Sequence, residues 1–180
     1  MVAALPAGTV LQLGYAHAEA EGTWIDAILL QNRGSFFPLD DHHPNRLEPG
    51  KRTFHTLIPA MLFEGETFEM AFGTMGGEGQ PQTQAALLTR LLDFGYDVQQ
   101  AIEAPRWLMG RTWGTARRDL SLEGRVPDEV ARELLRRGQP VNVLTDWNDN
   151  MGHAQAIRRS PHGFLEGGAD PRGDGAALGY

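Results

Sequence analysis

The amino-acid sequence predicts a layered α/β (α+β) domain. Two features carry this prediction: short apolar runs bounded by turn residues, and longer segments with an apolar residue at every third or fourth position. They follow one another as strands, two helices, then a strand, a helix and further strands, without the regular alternation of a doubly wound sheet. The 180 residues are 41% hydrophobic and 22% charged, which is enough apolar material for a substantial core.

The strands are predicted from the apolar runs. Two of these runs, 54–63 and 67–72, flank a Glu-Gly-Glu turn at 64–66 and predict a β-hairpin. The other strand candidates are shorter and lie at 10–13, 24–30, 120–123, 141–144, 154–158 and around Phe164. Residues 34–51 are rich in turn-forming residues and are predicted to form a long ordered loop.

Three helices are predicted from the periodic segments. The first covers 82–94, a second covers 98–104 and stops before Pro105, because the residue before proline avoids the helical conformation. The third opens at Pro127, with acidic residues at its positive end, and closes at Gly138. The face of the first helix that is predicted to be buried consists of Ala85, Leu88, Leu91 and Leu92.

A glycine-rich turn over 73–80 is the most informative segment of the chain. It joins the second hairpin strand to the first helix and contains Gly73, Gly76, Gly77 and Gly79, which allow positive φ and close backbone approach to a ligand. The free N–H groups of such a turn and the positive end of the helix dipole stabilise negative charge. The turn therefore predicts a site for a phosphate, a carboxylate or the oxyanion of a tetrahedral intermediate.

Composition excludes several classes of partner. A net charge of −7 argues against a nucleic-acid binder, and no apolar run approaches the ~18 residues that a membrane span needs. Without cysteine the chain has no thiolate nucleophile and no zinc–thiolate site, so a nucleophile would be Ser, Thr or a carboxylate. No cofactor is predicted. The first residues lack the features of a signal peptide, which favours the cytoplasm.

Several segments together resemble the C-terminal half, or small subunit, of the γ-glutamyltransferase family of N-terminal nucleophile (Ntn) hydrolases. The resemblance covers 28–180 and is strongest to the acylase-like and amidohydrolase-like branch, whereas 1–27 matches weakly and is treated as a separate N-terminal segment. Besides the glycine turn, the matching motifs are Leu29-Leu30-Gln31-Asn32-Arg33-Gly34, His43-Pro44-Asn45, Pro49-Gly50-Lys51-Arg52-Thr53-Phe54-His55-Thr56-Leu57-Ile58-Pro59, Asp93-Phe94-Gly95, Glu103-Ala104-Pro105-Arg106-Trp107, Gly152-His153-Ala154-Gln155 and Ala169-Asp170-Pro171-Arg172-Gly173-Asp174.

The resemblance implies a fold and a chemistry. In that family a precursor cleaves itself before a threonine, which then attacks an amide carbonyl with its own α-amino group as general base. The implied catalytic role of Gly76 and Gly77 is to supply oxyanion-hole N–H groups, in agreement with the physics of the turn. The implied fold is an αββα sandwich, of which this chain is the C-terminal portion. The implied partner is a large subunit or an upstream segment of the same precursor.

The family's nucleophile is not found in this chain. It lies upstream of the Leu-Leu-Gln-Asn-Arg-Gly motif, and no Thr-Thr or Thr-x-His occurs in 1–27. We therefore expect a small-subunit fragment of an amide hydrolase or acyltransferase that is inactive alone. The alternative is a non-catalytic domain on the same fold, which binds a small carboxylate through Gly76, Gly77 and Arg33.

Three residues are predicted to bind a small amide or carboxylate substrate. Where glutamyl-specific members carry a carboxylate for the substrate amino group, this chain has Phe36, and Arg33 occupies a neighbouring polar position. A guanidinium suits bidentate recognition of a carboxylate, so Arg33 indicates a carboxylate-bearing acyl group. The paired serines of those members become His55 and Thr56. In an alternating strand they face opposite sides, and Thr56 is favoured with His55 as the alternative.

Three other motifs are predicted to be structural. His43-Pro44-Asn45 is expected to fix the long loop through hydrogen bonds between side chains and backbone, and the His42-His43 pair predicts no metal site because adjacent side chains point in different directions. The segment Asp170-Pro171-Arg172 is interpreted as a turn that holds the C-terminal end against the sheets. In the Pro105 motif we expect a buried Trp107 and an Arg106 that pairs with a carboxylate.

Overall fold

The structure is a computed structural model that describes residues 33–111 and 118–179, together with the backbone of residue 32 and of four short strands nearer the N-terminus. The chain divides into two compact units, residues 1–57 and 58–180. No described helix is long and apolar enough to cross a bilayer. The architecture mixes helices with antiparallel and parallel strand pairs, so the α+β class predicted from the sequence is confirmed.

The first unit contains a small sheet followed by a long loop. Its strands are β1 (Val2–Ala4), β2 (Val10–Gln12), β3 (Trp24–Ile25) and β4 (Ile28–Leu29), in the order β1-β2-β4-β3. Strands β2 and β4 are parallel, and the other two pairs are antiparallel. The strand predicted at 10–13 is thus present in shorter form, whereas the range predicted as one strand, 24–30, contains two short antiparallel strands, β3 and β4. The predicted division of the chain at 27/28 stays a prediction.

Side-chain hydrogen bonds to backbone hold the loop that follows, as predicted. The N–H of Asn45 donates to Nδ1 of His43 (3.0 Å), and Nδ2 of Asn45 donates to the carbonyl of Phe36 (2.7 Å). The Lys51 ammonium donates to the carbonyl of Pro44 (2.7 Å). These bonds satisfy backbone groups that have no strand or helix partner in an irregular segment.

The core of the second unit is an antiparallel sheet covered by two helices. The strands β5 (Ala60–Glu64), β6 (Thr67–Thr74), β10 (Ala154–Arg159) and β11 (Leu165–Ala169) are arranged as β11-β10-β6-β5. Helices α1 (Gln80–Leu92) and α2 (Val98–Glu103) pack on one face. The buried hydrophobic side chains shared by sheet and helices are those of Met70, Phe72, Leu87, Leu91, Val98, Ala101, Ile102, Ala154 and Ala156.

The predicted hairpin is present, but its first strand begins at Ala60 and not at residue 54. Residues 51–59 have no regular secondary structure. Pro59 lies beside Gly73 of β6, and a proline has no N–H to donate to a strand ladder. Pairing therefore starts at the next residue, where Ala60 is opposite Phe72. The premise that His55 and Thr56 alternate along a strand is wrong for this reason.

The buried face of α1 differs from the predicted face. Leu91 is buried as expected and Leu88 is half-buried, but Ala85 and Leu92 are exposed. The residues of α1 that are buried are Gln80, Thr83, Leu87 and Leu91. Gln80 and Thr83 are polar, and apolar periodicity does not predict the burial of polar residues. The predicted face therefore includes the exposed Leu92 and omits the buried Leu87.

A second sheet is formed by β7 (Trp107–Met109), β8 (Leu120–Glu123) and β9 (Val141–Leu144). Strand β7 pairs antiparallel with β8, while β8 and β9 are parallel and are connected by α3 (Asp128–Arg136). The strands predicted at 120–123 and 141–144 and the helix after Pro127 are confirmed. Strand β7 was not predicted, because three residues next to a proline carry too little pattern to be recognised.

We expect Met70→Ala to lower the free energy of unfolding by about 2–5 kcal/mol, because it removes a fully buried side chain and leaves a cavity. Met70 is 1% exposed between the sheet and its helices. Met61→Ala is the matched control, since this methionine on the neighbouring strand is 67% exposed, and we expect a change within about 0.5 kcal/mol. Urea unfolding followed by circular dichroism measures both. Equal losses would contradict the assignment of the core to this face.

Candidate active site

The glycine turn occupies the junction between β6 and α1. After Thr74, the last residue of β6, Gly76 has a φ of +135° and Gly77 a φ of +50°, which L side chains rarely adopt. A 3-10 turn over Gly77–Gly79 then leads directly into α1. The first N–H groups of a helix have no acceptor within the helix and lie at its positive end. The turn predicted from the sequence is therefore present at the positive end of α1, and its role in stabilising an anion stays a prediction.

A second loop packs against this turn. It consists of a 3-10 turn over Asp149–Met151 followed by Gly152, whose φ is +80°. A Cβ atom on Gly152 would lie 2.3 Å from the carbonyl oxygen of Met75 and 2.7 Å from Oγ1 of Thr74, so only glycine fits. Helix α1 also contacts this loop, because Oγ1 of Thr83 donates to the carbonyl of Met151 (3.3 Å).

Four charged side chains form a buried cluster behind these loops. Arg106 Nη2 lies 2.5 Å from Oδ2 of Asp170, and Arg172 Nη1 lies 3.0 Å from Oδ1 of the same carboxylate. Arg172 also binds Glu123 in a bidentate manner, with nitrogen–oxygen distances of 2.5 and 2.6 Å. All four residues are buried. Two buried guanidinium groups thus compensate two buried carboxylates, and the half-buried Arg125 adds a third cation at Oε2 of Glu123 (2.9 Å).

The cluster keeps its members charged despite burial. Burial alone would raise the pKa of Asp170, but the charge of Arg106 and the N–H groups of Ala154 and Arg172 outweigh it and lower the pKa. Burial would also raise the pKa of Glu123, but the hydrogen bonds from Arg172 and from the Arg106 N–H outweigh it and lower this pKa. Burial lowers the pKa of Arg106 to about 10, although Asp170 acts against this shift.

The structural predictions for these motifs are confirmed in two cases and wrong in one. Arg106 pairs with a carboxylate as expected, and Asp170 anchors a tight turn in which the N–H of Gly173 donates to its carbonyl (3.1 Å). Trp107 is 44% exposed and is not a core residue. It precedes the buried Leu108 in β7, and successive strand residues face opposite sides.

In the first unit the structure brings together two of the predicted substrate residues. Arg33 Nη2 donates to Oγ1 of Thr56 (3.0 Å), and the Arg33 guanidinium lies 5.3 Å from the centre of the Phe36 ring. His55 is exposed, and its Nδ1 accepts a hydrogen bond from the N–H of Leu57 (3.2 Å). The roles of these residues in substrate binding stay predictions.

Two contributors to the site were not identified from the sequence. Gly152 is part of a motif that carried the family resemblance, but nothing local shows that it contacts the glycine turn. Glu123 is one of the four members of the charged cluster and lies in a predicted strand, where a buried carboxylate is unexpected. The one local sign in the sequence is that the predicted strand 120–123 ends in an acidic residue, Glu123. Among the described residues, no group of three His, Asp or Glu is arranged to hold a metal ion.

The antiparallel sheet with two helices on one face, and with the glycine turn between its interior strand β6 and α1, corresponds to one sheet and one helical layer of the expected αββα sandwich. The structure superposes on the cephalosporin acylase from Bacillus halodurans with a TM-score of 0.69 and 39% identity, covering 86% of this chain and 28% of that one. The sequence profile of the γ-glutamyltranspeptidase family matches residues 25–180. The chain belongs to the γ-glutamyltranspeptidase family.

Two curated relatives are similar over most of this chain. The glutathione hydrolase-like YwrD proenzyme of Bacillus subtilis is 57% identical over 152 residues, which are 84% of this chain and 29% of the relative. The oxamate amidohydrolase proenzyme of Klebsiella pneumoniae is 51% identical over 153 residues, which are 85% of this chain and 29% of the relative. The chain thus spans less than a third of the length of either proenzyme.

We expect Glu123→Gln to lower the free energy of unfolding by about 3–5 kcal/mol at pH 7, because it leaves Arg172 without its bidentate partner in the interior. The pKa of Glu123 is lower in the folded chain than in the unfolded chain, so its stabilisation is present above the unfolded pKa, near 4.5. That stabilisation is lost as the pH falls through the folded pKa, and the difference between the variant and the natural chain should shrink there.

Urea unfolding between pH 3 and pH 7 measures this difference. Glu133→Gln is the control, since this exposed carboxylate pairs with Arg136 and Arg137 at the end of its own helix. Its replacement should have little effect on stability at any pH. A difference between Glu123→Gln and the natural chain that stays constant down to pH 3 would contradict the buried ion pair.

Proposed function

We propose that this chain supplies the oxyanion-stabilising part of an amide hydrolase or acyltransferase that uses an N-terminal threonine as nucleophile. The observation that carries the proposal is the positive-φ turn at Gly76 and Gly77 at the start of α1. Membership of the γ-glutamyltranspeptidase family and the similarity to amidohydrolase and acylase relatives support it.

The chemistry follows from the turn. When the threonine hydroxyl attacks an amide carbonyl, the carbonyl oxygen becomes an oxyanion, and the proton of the hydroxyl passes to the threonine α-amino group. The N–H groups of Gly76 and Gly77 then donate to that oxygen, and the dipole of α1 adds to the stabilisation. The loss of one such donor typically lowers kcat by about 10²- to 10³-fold. The C–N bond of the tetrahedral intermediate then breaks, and the α-ammonium group gives its proton to the leaving amine. The acyl group stays on the threonine oxygen as an ester, which water or an acceptor amine then attacks.

A partner polypeptide is part of this proposal. The face of the β5–β6–β10–β11 sheet away from the helices contains a row in which Met61 and Ile157 lie on either side of Ala71. Met61, Ile157 and Leu165 are exposed. A sheet face that exposes several apolar side chains is suited to packing against another sheet. We assign the sheet that packs on this face, and the nucleophilic threonine, to a large subunit or to an upstream segment of the same precursor.

For the substrate we propose an amide whose acyl group carries a carboxylate. Arg33 provides a guanidinium for this carboxylate, and the hydroxyl of Thr56, which accepts a hydrogen bond from Arg33, fixes its orientation. His55 is the alternative polar contact. One relative is an oxamate amidohydrolase, and oxamate is an amide in which a carboxylate is bonded directly to the amide carbonyl. This similarity favours a short acyl group.

A chimera tests the proposed function. The part of the Klebsiella oxamate amidohydrolase proenzyme that precedes its matching region would be joined to this chain, with a second chimera in which the threonine proposed as the nucleophile is replaced by alanine. We expect maturation and hydrolysis of carboxylate-bearing amides, oxamate among them, in the first chimera alone. A folded first chimera that hydrolyses none of a panel of acyl amides would refute the catalytic role. Carboxylate binding by the chain alone would then favour the alternative, a non-catalytic carboxylate-binding domain.

We expect Arg33→Ala in the active chimera to raise KM for a carboxylate-bearing amide by about 10- to 100-fold, as the loss of a charge-assisted contact predicts. Arg46→Ala is the matched control, because this arginine of the same loop region is exposed and pairs with Glu48. Steady-state kinetics with an amide that lacks the carboxylate complete the comparison. A similar rise in KM for both amides, or for both variants, would show that Arg33 does not recognise the carboxylate.

A further inference from the structure

We propose that Arg106 is a positioning residue for the glycine turn: it holds the peptide carbonyls of Met151 and Gly152, and Gly152 in turn fixes the peptide that carries the Gly76 N–H. This role rests on the proposed function, because it explains what orients the oxyanion donors. Arg106 itself is 2% exposed and is not placed to contact a substrate.

The guanidinium of Arg106 joins three backbone carbonyls to one carboxylate. Its Nη1 donates to the carbonyls of Met151 (3.1 Å) and Gly152 (2.7 Å). Its Nη2 donates to the carbonyl of Ile102 (3.0 Å) and to Oδ2 of Asp170 (2.5 Å). A planar group with donors in a fixed fork can serve these acceptors together, whereas an ammonium group has a single nitrogen.

Asp170 clamps the other end of the same segment. Its Oδ2 accepts a second hydrogen bond from the N–H of Ala154 (2.7 Å), which follows Gly152 by two positions. The segment 151–154 is therefore held by Arg106 and Asp170 together, and by Thr83 of α1 at Met151. Its position is set by buried polar contacts, which are costly to leave unsatisfied.

Gly152 links the 151–154 segment to the glycine turn through its close contact with the carbonyl of Met75. The carbonyl oxygen of Met75 lies against Gly152 so closely that a Cβ would be 2.3 Å away, and it accepts a hydrogen bond from Oγ1 of Thr74 (2.7 Å). The carbonyl of Met75 and the N–H of Gly76 belong to one peptide group, which is planar. Whatever fixes the direction of that carbonyl therefore fixes the direction in which the Gly76 N–H points.

Two variants and one matched control test this role. Arg106→Lys keeps the buried charge but loses the fork, and Gly152→Ala leaves the charged cluster intact but places a methyl group against Met75. Arg159→Lys is the control, because Arg159 also donates to a backbone carbonyl, that of Phe68, and to the carboxylate of Glu69, and neither partner belongs to the charged cluster or to the 151–154 segment.

The first readout is the amide resonance of Gly76 in ¹H–¹⁵N spectra of the 180-residue chain, with its hydrogen-exchange rate. We expect both test variants to shift this resonance and to raise its exchange rate by about tenfold or more, while Arg159→Lys leaves both unchanged. This measurement requires no catalysis, so it decides the coupling even if the chimera is inactive. A Gly76 resonance that does not move in either test variant, or that moves equally in Arg159→Lys, would overturn the proposal.

The second readout is kinetic and uses the active chimera. A displaced oxyanion donor acts only in the transition state, so kcat should fall by about 10²-fold in Gly152→Ala with KM nearly unchanged. Arg106→Lys should retain more activity than Arg106→Met, as partial rescue by the conservative charge predicts. If KM rises and kcat is kept in Gly152→Ala, Gly152 supports substrate binding and not the oxyanion donors, and the proposal is refuted.

Discussion

The interaction on which most of the second unit depends is the buried cluster of Arg106, Glu123, Asp170 and Arg172. It joins the end of α2, strand β8 and the turn after β11, which are far apart in the sequence. A buried charge without its partner is strongly destabilising, so the cluster forms only when all these segments are in place together. Its contribution is to select one arrangement of the elements, and the hydrophobic core between the sheet and its helices supplies the main driving force.

An oxyanion-binding site needs hydrogen-bond donors and also a rigid support that orients them. In the proposed mechanism the glycine turn provides the donors and the charged cluster provides the support. Oxyanion stabilisation requires donors that are already aimed before charge develops, since reorientation during the reaction would cost energy. In the proposed mechanism the donors are the backbone N–H groups of Gly76 and Gly77, which carry no flexible side chain. Backbone groups in a glycine-rich turn are, however, free to adopt many conformations. The close contact of Gly152 with Met75, supported from the interior by Arg106, removes that freedom.

The sequence predicted those features that have a local cause. A turn that needs positive φ is visible as clustered glycine, and Pro105 marks the end of a helix. The exposed Trp107 and the polar positions on the buried face of α1 were not predictable, because the pattern assigns burial by residue type alone. The partner of Arg106 lies 64 residues away, and no local signal specifies a pairing over that distance. The same limit applies to Gly152, whose requirement for glycine comes from a strand that is distant in sequence.

The most direct test of this account is the structure of the active chimera with a covalent boronate adduct that mimics the tetrahedral intermediate. The measurement is the distance from the N atoms of Gly76 and Gly77 to the boronate oxygen that stands for the oxyanion. We predict that both distances are about 2.7–3.1 Å, as for oxyanion-hole donors generally. An adduct whose oxygen contacts other groups, with Gly76 and Gly77 beyond hydrogen-bond distance, would contradict the role of the glycine turn.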